Sequence, residues 1–162
     1  MKPTVFYLLA LLVLAADQLS KHWVAGLFLP GDSRDLLPGF FSLTYVRNTG
    51  GAFGILPAGT LALAVAALLA AVAIVVYVSR VKGPLPLLLA VALALPLGGA
   101  LGNFADRVRL RYVVDFFDVH IGIHQWPVFN VADSAICVGV TLLAFYFWRQ
   151  PLVPAPSVPL EH

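Results

Sequence analysis

Two aspartates carry the strongest chemical signal in this chain. They are Asp115, in Val113-Val114-Asp115-Phe116, and Asp133, in Phe129-Asn130-Val131-Ala132-Asp133. Both lie beside or inside apolar stretches, where a carboxylate costs a few kcal/mol and is functional by default. Two carboxyls that meet and share one proton suit acid/base activation of water. Other polar residues are spaced to join them. Asp17 and Lys21 are four apart and share a helix face. Asn103, Asp106 and Arg107 fall on one face if their helix extends that far, Asn130 stands three residues before Asp133, and Asn48 sits in a loop. Each has a plainer reading. Asp17 with Lys21 is equally an interfacial ion pair, Asp106 with Arg107 a helix-end ion pair serving structure, and Asn48 a turn residue. Asp133 resists such a reading, because it enters an apolar helix with no basic residue within one turn.

Other chemistries find no support. The chain has no His-Glu-x-x-His motif and no Gly-x-Ser-x-Gly elbow. Ser20, Ser33, Ser42, Ser79 and Ser134 form no compelling pair with a base, and Ser134 projects about 100° away from Asp133 on a helix. His120 and His124 have a metal-compatible spacing only if helical; Gly122 between them and a loop setting argue against it, and no metal or other cofactor is expected. Asp118, Arg109 and Arg111 read as solvated loop charges. The single cysteine, Cys137, excludes an intrachain disulfide and reads as a packing residue.

The elements that must position these residues are membrane helices. Of 162 residues, 60% are hydrophobic and 11% charged, which is too apolar for an ordinary soluble domain. The net charge of +2 gives no footprint for nucleic acid. Four apolar segments, residues 4–29, 61–78, 84–105 and 129–148, predict four spans. The first is a retained helix rather than a cleaved signal, because apolar character resumes after Lys21. Pro84 and Pro86 fall in an opening turn, Pro96 predicts a kink, and Gly98, Gly99 and Gly102 offer a small-residue packing face. Trp23, Trp126 and Trp148 read as interfacial anchors.

Residues 30–57 join the first two spans. Phe41 to Val46 alternates as a strand would, and Asn48-Thr49-Gly50-Gly51 is a turn, giving a small β structure outside the membrane. Residues 107–129 form the second outer connection. Residues 1–150 make one transmembrane domain, and residues 151–162 a Pro-rich tail whose Leu160-Glu161-His162 looks like a cloning-tag remnant. Four spans put both termini on one side, with Lys2, Arg80, Lys82 and Arg149; the raw Lys/Arg count favours the opposite side, so charge alone orients the chain weakly.

Five blocks in order complete the picture: Asp17-Gln18-Leu19-Ser20-Lys21, Arg47-Asn48-Thr49-Gly50-Gly51-Ala52-Phe53, Gly98-Gly99-Ala100-Leu101-Gly102-Asn103-Phe104-Ala105-Asp106-Arg107, and the two aspartate blocks. Together they closely resemble the signal peptidase II family, bacterial membrane aspartyl proteases, over nearly the whole chain. Gly51, where the family more often has alanine, is the one departure. The resemblance implies an all-α membrane protein of four transmembrane helices, with cytoplasmic termini and a β-rich extracytoplasmic cradle from the first loop. It implies an inner-membrane endopeptidase that removes signal peptides from prolipoproteins, cutting just before the diacylglyceryl-modified cysteine without a cofactor. It makes Asp115 and Asp133 catalytic, and gives Asp17, Lys21, Asn48, Asn103, Asp106, Arg107 and Asn130 supporting or substrate-binding roles. Its implied partners are lipidated precursors, membrane lipid and cyclic peptide antibiotics such as globomycin, acting on a monomer.

Two other classes compete. Intramembrane acids also serve proton-coupled transporters, but no inverted repeat or pair of broken helices is present. A structural scaffold leaves unexplained why polar groups gather on three spans.

Overall fold

The computed structural model describes residues 1–51 and 59–150. Ala52 and Phe53 of the second motif, and the Pro-rich tail, lie outside these described residues. Four helices form a bundle: α1 (Pro3–Leu27), α2 (Thr60–Arg80), α3 (Leu87–Leu110) and α4 (Val131–Trp148). Each is long and apolar enough to cross a membrane. At 1.5 Å per residue they reach roughly 27–37 Å, against a hydrocarbon core of about 30 Å. The ends follow local chemistry. Pro3 opens α1, Pro86 precedes the first residue of α3, and Asn130 caps α4. Arg111 adopts a left-handed conformation (φ 69°) that stops α3.

α3 is the central helix. Its most apolar 18-residue window is 61% buried, against 17% in each of the other three spans, so α1, α2 and α4 present most of their surface outward. Two glycines permit the close approach on two sides. A Cβ on Gly98 would strike the Ala10 carbonyl and Val13 of α1, and one on Gly99 would strike the Ala132 carbonyl and Ile136 of α4. The expected single packing face is therefore two faces. Pro96 stays within α3 and packs against Gly139 of α4, where any Cβ would overlap the ring. Phe6, Leu89, Leu93 and Leu97 fill the core. At one end the Met1 amino group donates to the Leu85 carbonyl, joining the start of α1 to the α2–α3 connection.

A four-stranded antiparallel sheet covers the other end: β1 (Ser33–Leu37), β2 (Phe41–Asn48), β3 (Val113–Ile121) and β4 (His124–Gln125), in that spatial order. The expected β cradle is present, but only half of it comes from the first connection. β3 and β4 come from the second, where a loop was expected. Val24 and Phe28 at the end of α1 pack with Leu43, Tyr45, Val114 and Phe116, seating the sheet on the bundle. Strand alternation then sends Asp115, between Val114 and Phe116, to the opposite face. The register sets Val46 against Asp115 and Asn48 against Val113, so Asn48 is a diagonal neighbour of Asp115. Backbone bonds between Phe117 and Phe129 sew β3 to the start of α4.

Two readings change here. Asp118 is not a solvated loop charge: it is buried on β3, accepts from Thr44 and Gln125, and pairs with His120 at 3.1 Å. Cys137 is exposed on α4 rather than packed inside.

Candidate active site

The polar residues converge where α1, α3, β2, β3 and the start of α4 meet. Asn130 links the two aspartates. Its Nδ2 donates to Asp115 Oδ1 at 2.6 Å, while its Oδ1 accepts from the Asp133 amide at 2.9 Å. The Asn130 amide returns a bond to Asp133 Oδ2 at 3.2 Å, completing a reciprocal helix cap. Asp133 is thus both the third residue of α4 and one of the two carboxyls. Asn48 Nδ2 donates to Asp115 Oδ2 at 2.8 Å, and Asn103 Nδ2 donates to Asp133 Oδ1 at 2.8 Å. Among the described residues, these four oxygens accept from the N–H groups of neutral amides and have no cation in direct contact.

Asp115 is almost wholly buried. Burial, and next the negative charge of Asp133, push its carboxyl up from 3.8 to about 7, against the opposing bonds from Asn48 and Asn130. A carboxyl raised in this way beside a second carboxyl is an arrangement that can divide acid and base roles.

Behind the dyad lies a buried charged cluster. Lys21 Nζ sits 2.8 Å from Asp17 Oδ2, 3.0 Å from Asp106 Oδ2 and 2.8 Å from Asn103 Oδ1. Asp106 was expected to pair with Arg107. Its cation is instead Lys21, because Asp106 and Arg107 are adjacent on α3 and diverge around the helix. Arg107 donates to the Gly50 carbonyl at 3.3 Å, tying α3 to the β2–α2 connection. Its buried Nε has no partner among the described residues. Arg107 and Asn103 also line a cavity of about 460 Å³, which continues between α2, α3 and α4 along Leu63, Ala67, Pro96, Ala100 and Val140.

All nine expected site residues therefore meet in one region. Two residues to which the sequence assigns no part in the site, Gln18 and Gly102, also belong there. Gln18 donates to Asp106 Oδ1 at 3.0 Å and to Asp17 Oδ2 at 3.2 Å. It lies inside the first motif, but one position round the helix from the Asp17–Lys21 face. Gly102 makes room for the Asp17 carboxyl, which any Cβ there would overlap. His120 and His124 lie on β3 and β4 rather than on a helix, so the four-residue spacing does not bring them onto a common helical face. Among the described residues no cluster of three metal-ligating side chains occurs.

Comparison with known proteins agrees with this architecture. Residues 9–149 match the family model described as signal peptidase (SPase) II. The lipoprotein signal peptidase of Moorella thermoacetica is 49% identical over 150 residues, covering 93% of this chain and 94% of the relative. That of Bacillus subtilis is 45% identical over 139 residues, covering 85% and 89%. Two solved structures of bacterial membrane enzymes superpose with TM-scores of 0.83 and 0.80 at 32% and 34% identity, covering 94% and 91% of this chain and 96% and 95% of theirs. The chain belongs to the signal peptidase II family and is a multi-pass membrane protease of the lipoprotein signal peptidase type.

Proposed function

We propose that this signal peptidase works as an aspartyl endopeptidase, with Asp115 and Asp133 as its shared-proton dyad, and that it cuts prolipoproteins just before a diacylglyceryl-modified cysteine. The observation that carries the mechanism is the bridge through Asn130, which bonds both aspartates at once. Burial raises the carboxyl of Asp115 to about 7, which supports assigning it the proton of the pair in this reading. Asp133 is then the base: it takes a proton from water, whose oxygen attacks the scissile carbonyl carbon. Asp115 gives its proton to the carbonyl oxygen. As the tetrahedral intermediate collapses, Asp133 returns a proton to the departing amine and Asp115 recovers one from the gem-diol hydroxyl. No covalent enzyme intermediate forms, and no metal or other cofactor enters these steps.

The free Nε of Arg107 suits a substrate backbone carbonyl, since a buried guanidinium donor gains most from a partner. The apolar cavity below Asn103 and Arg107 suits the apolar part of a lipidated precursor. In this reading the sheet end of the bundle faces outward from the inner membrane, both termini are cytoplasmic, and the chain acts as a monomer. The cyclic peptide antibiotics would compete for the same cleft. The test is cleavage of one precursor in two forms, diacylglyceryl-modified and unmodified, at matched concentration in the same nanodiscs. The modified form should be cut with the new amino terminus at its cysteine. Equal rates would remove lipid recognition from the proposal, and a cut elsewhere would remove the assigned bond.

A further inference from the structure

The geometry points to Lys21 as a positioning residue that sets where both dyad carboxyls stand, through three acceptors that each hold a different part of the dyad. This deepens the dyad reading and rests on it. An ammonium has three donors and no acceptor. Lys21 spends them on Asp17, Asp106 and Asn103, at 2.8, 3.0 and 2.8 Å. Besides the bonds from Gln18, each of these three acceptors has a contact that leads to the dyad. The Oδ1 of Asp17 accepts from the amide of Ala132, the residue immediately before Asp133, at 2.9 Å. The Oδ2 of Asp106 accepts from the amide of Val114, the residue immediately before Asp115, at 3.2 Å. Asn103 donates to the Asp133 carboxylate itself.

The third arm also fixes an orientation. The Asn103 carbonyl oxygen faces Lys21 and also accepts from Asn130 Nδ2 at 3.3 Å. Turning that amide over would put its NH2 against two sets of donors and its oxygen against a carboxylate. Lys21 therefore keeps Asn103 a donor toward Asp133. An ordinary interfacial ion pair explains none of this. Lys21 is only 3% exposed, and its two acids come from different helices, α1 and α3, each clamping the backbone beside one catalytic carboxyl.

The experiment measures kcat and KM on a lipidated precursor in nanodiscs, with the thermal midpoint of each variant. Lys21→Met strands two buried acids, so the charge-compensated Lys21→Met/Asp106→Asn is made beside it, together with Lys21→Arg, which keeps the charge but moves the donors. Each folded variant should lose about tenfold to a hundredfold in kcat, as a misplaced catalytic group does, with KM within about threefold. In a cycle with Asn103→Leu, the combined loss should fall short of the product of the single losses by about tenfold, because one arm of the effect passes through Asn103. Wild-type kcat in Lys21→Arg, strict multiplicativity in the cycle, or a lowered thermal midpoint with unchanged kcat would each overturn the assignment. Asp115→Asn is the control. If it stays active, the dyad reading fails; if it is inactive while the Lys21 variants keep wild-type kcat, only the positioning role fails.

Discussion

At Asp115 and Asp133 the site depends on neutral donors. Asn48, Asn103 and Asn130 fix the carboxyl oxygens without adding charge, as the proposed proton exchange with substrate and water requires. One consequence is a pH-dependent stability. Between pH 3.8 and about 7 folded Asp115 keeps a proton that the unfolded chain has lost. Its contribution is therefore most favourable below pH 3.8 and is lost as the pH rises to about 7. The thermal midpoint of the wild type should fall across pH 5 to 7 relative to Asp115→Asn, which has nothing to titrate there; parallel curves would contradict the raised carboxyl. A second consequence concerns Asp106. Asp106→Ala removes an acceptor of Lys21 and the tie to Val114, but leaves both dyad carboxyls. It should lower cleavage and stability while retaining activity well above that of a dyad variant. Activity as low as that of Asp115→Asn at unchanged stability would require a third essential carboxyl.

At the scale of elements, the four spans are legible because their apolar runs have membrane length, and the candidate site in part, because Asp17 with Lys21, Asn103 with Asp106 and Arg107, and Asn130 with Asp133 stand at helical spacing. Three features are not. α3 continues to Leu110, since nothing between Ala105 and Arg111 breaks a helix until the left-handed turn at Arg111. β3 and β4 escaped notice because Asp115, Asp118 and His120 interrupt the apolar alternation of a strand whose polar positions are filled by the site and by the Asp118 network. Lys21 as the partner of Asp106 was hidden because contacts between α1 and α3 leave no mark in local spacing. Gly102 shows the other side of this: it reads as a helix-packing glycine, yet what it admits is the Asp17 carboxyl. Gly102→Ala should displace Asp17, destabilise the protein by about 1–3 kcal/mol and reduce cleavage. An alanine variant with unchanged melting and activity would show that the Asp17 arm tolerates movement.

For the whole molecule, a bundle built around α3 leaves most of α1, α2 and α4 exposed and places the sheet over the end where Asn130 joins Asp115 and Asp133. In the proposed reading, such a site would draw water from one side and an apolar substrate from the other. Its orientation is testable with single cysteines in a Cys137→Ser background. Ile123→Cys, at a position 96% exposed on the β3–β4 hairpin, should react with an impermeant thiol reagent added outside intact spheroplasts. Lys82→Cys, between α2 and α3, should react only after lysis. The reverse pattern would invert the topology. The central claim, that two carboxyls do the chemistry, is met most directly by single-turnover cleavage of a diacylglyceryl-modified precursor by purified Asp115→Asn and Asp133→Asn proteins of native melting behaviour. Both should cleave about a thousandfold or more slowly than the wild type while still binding precursor. Near-normal cleavage by either would contradict the account.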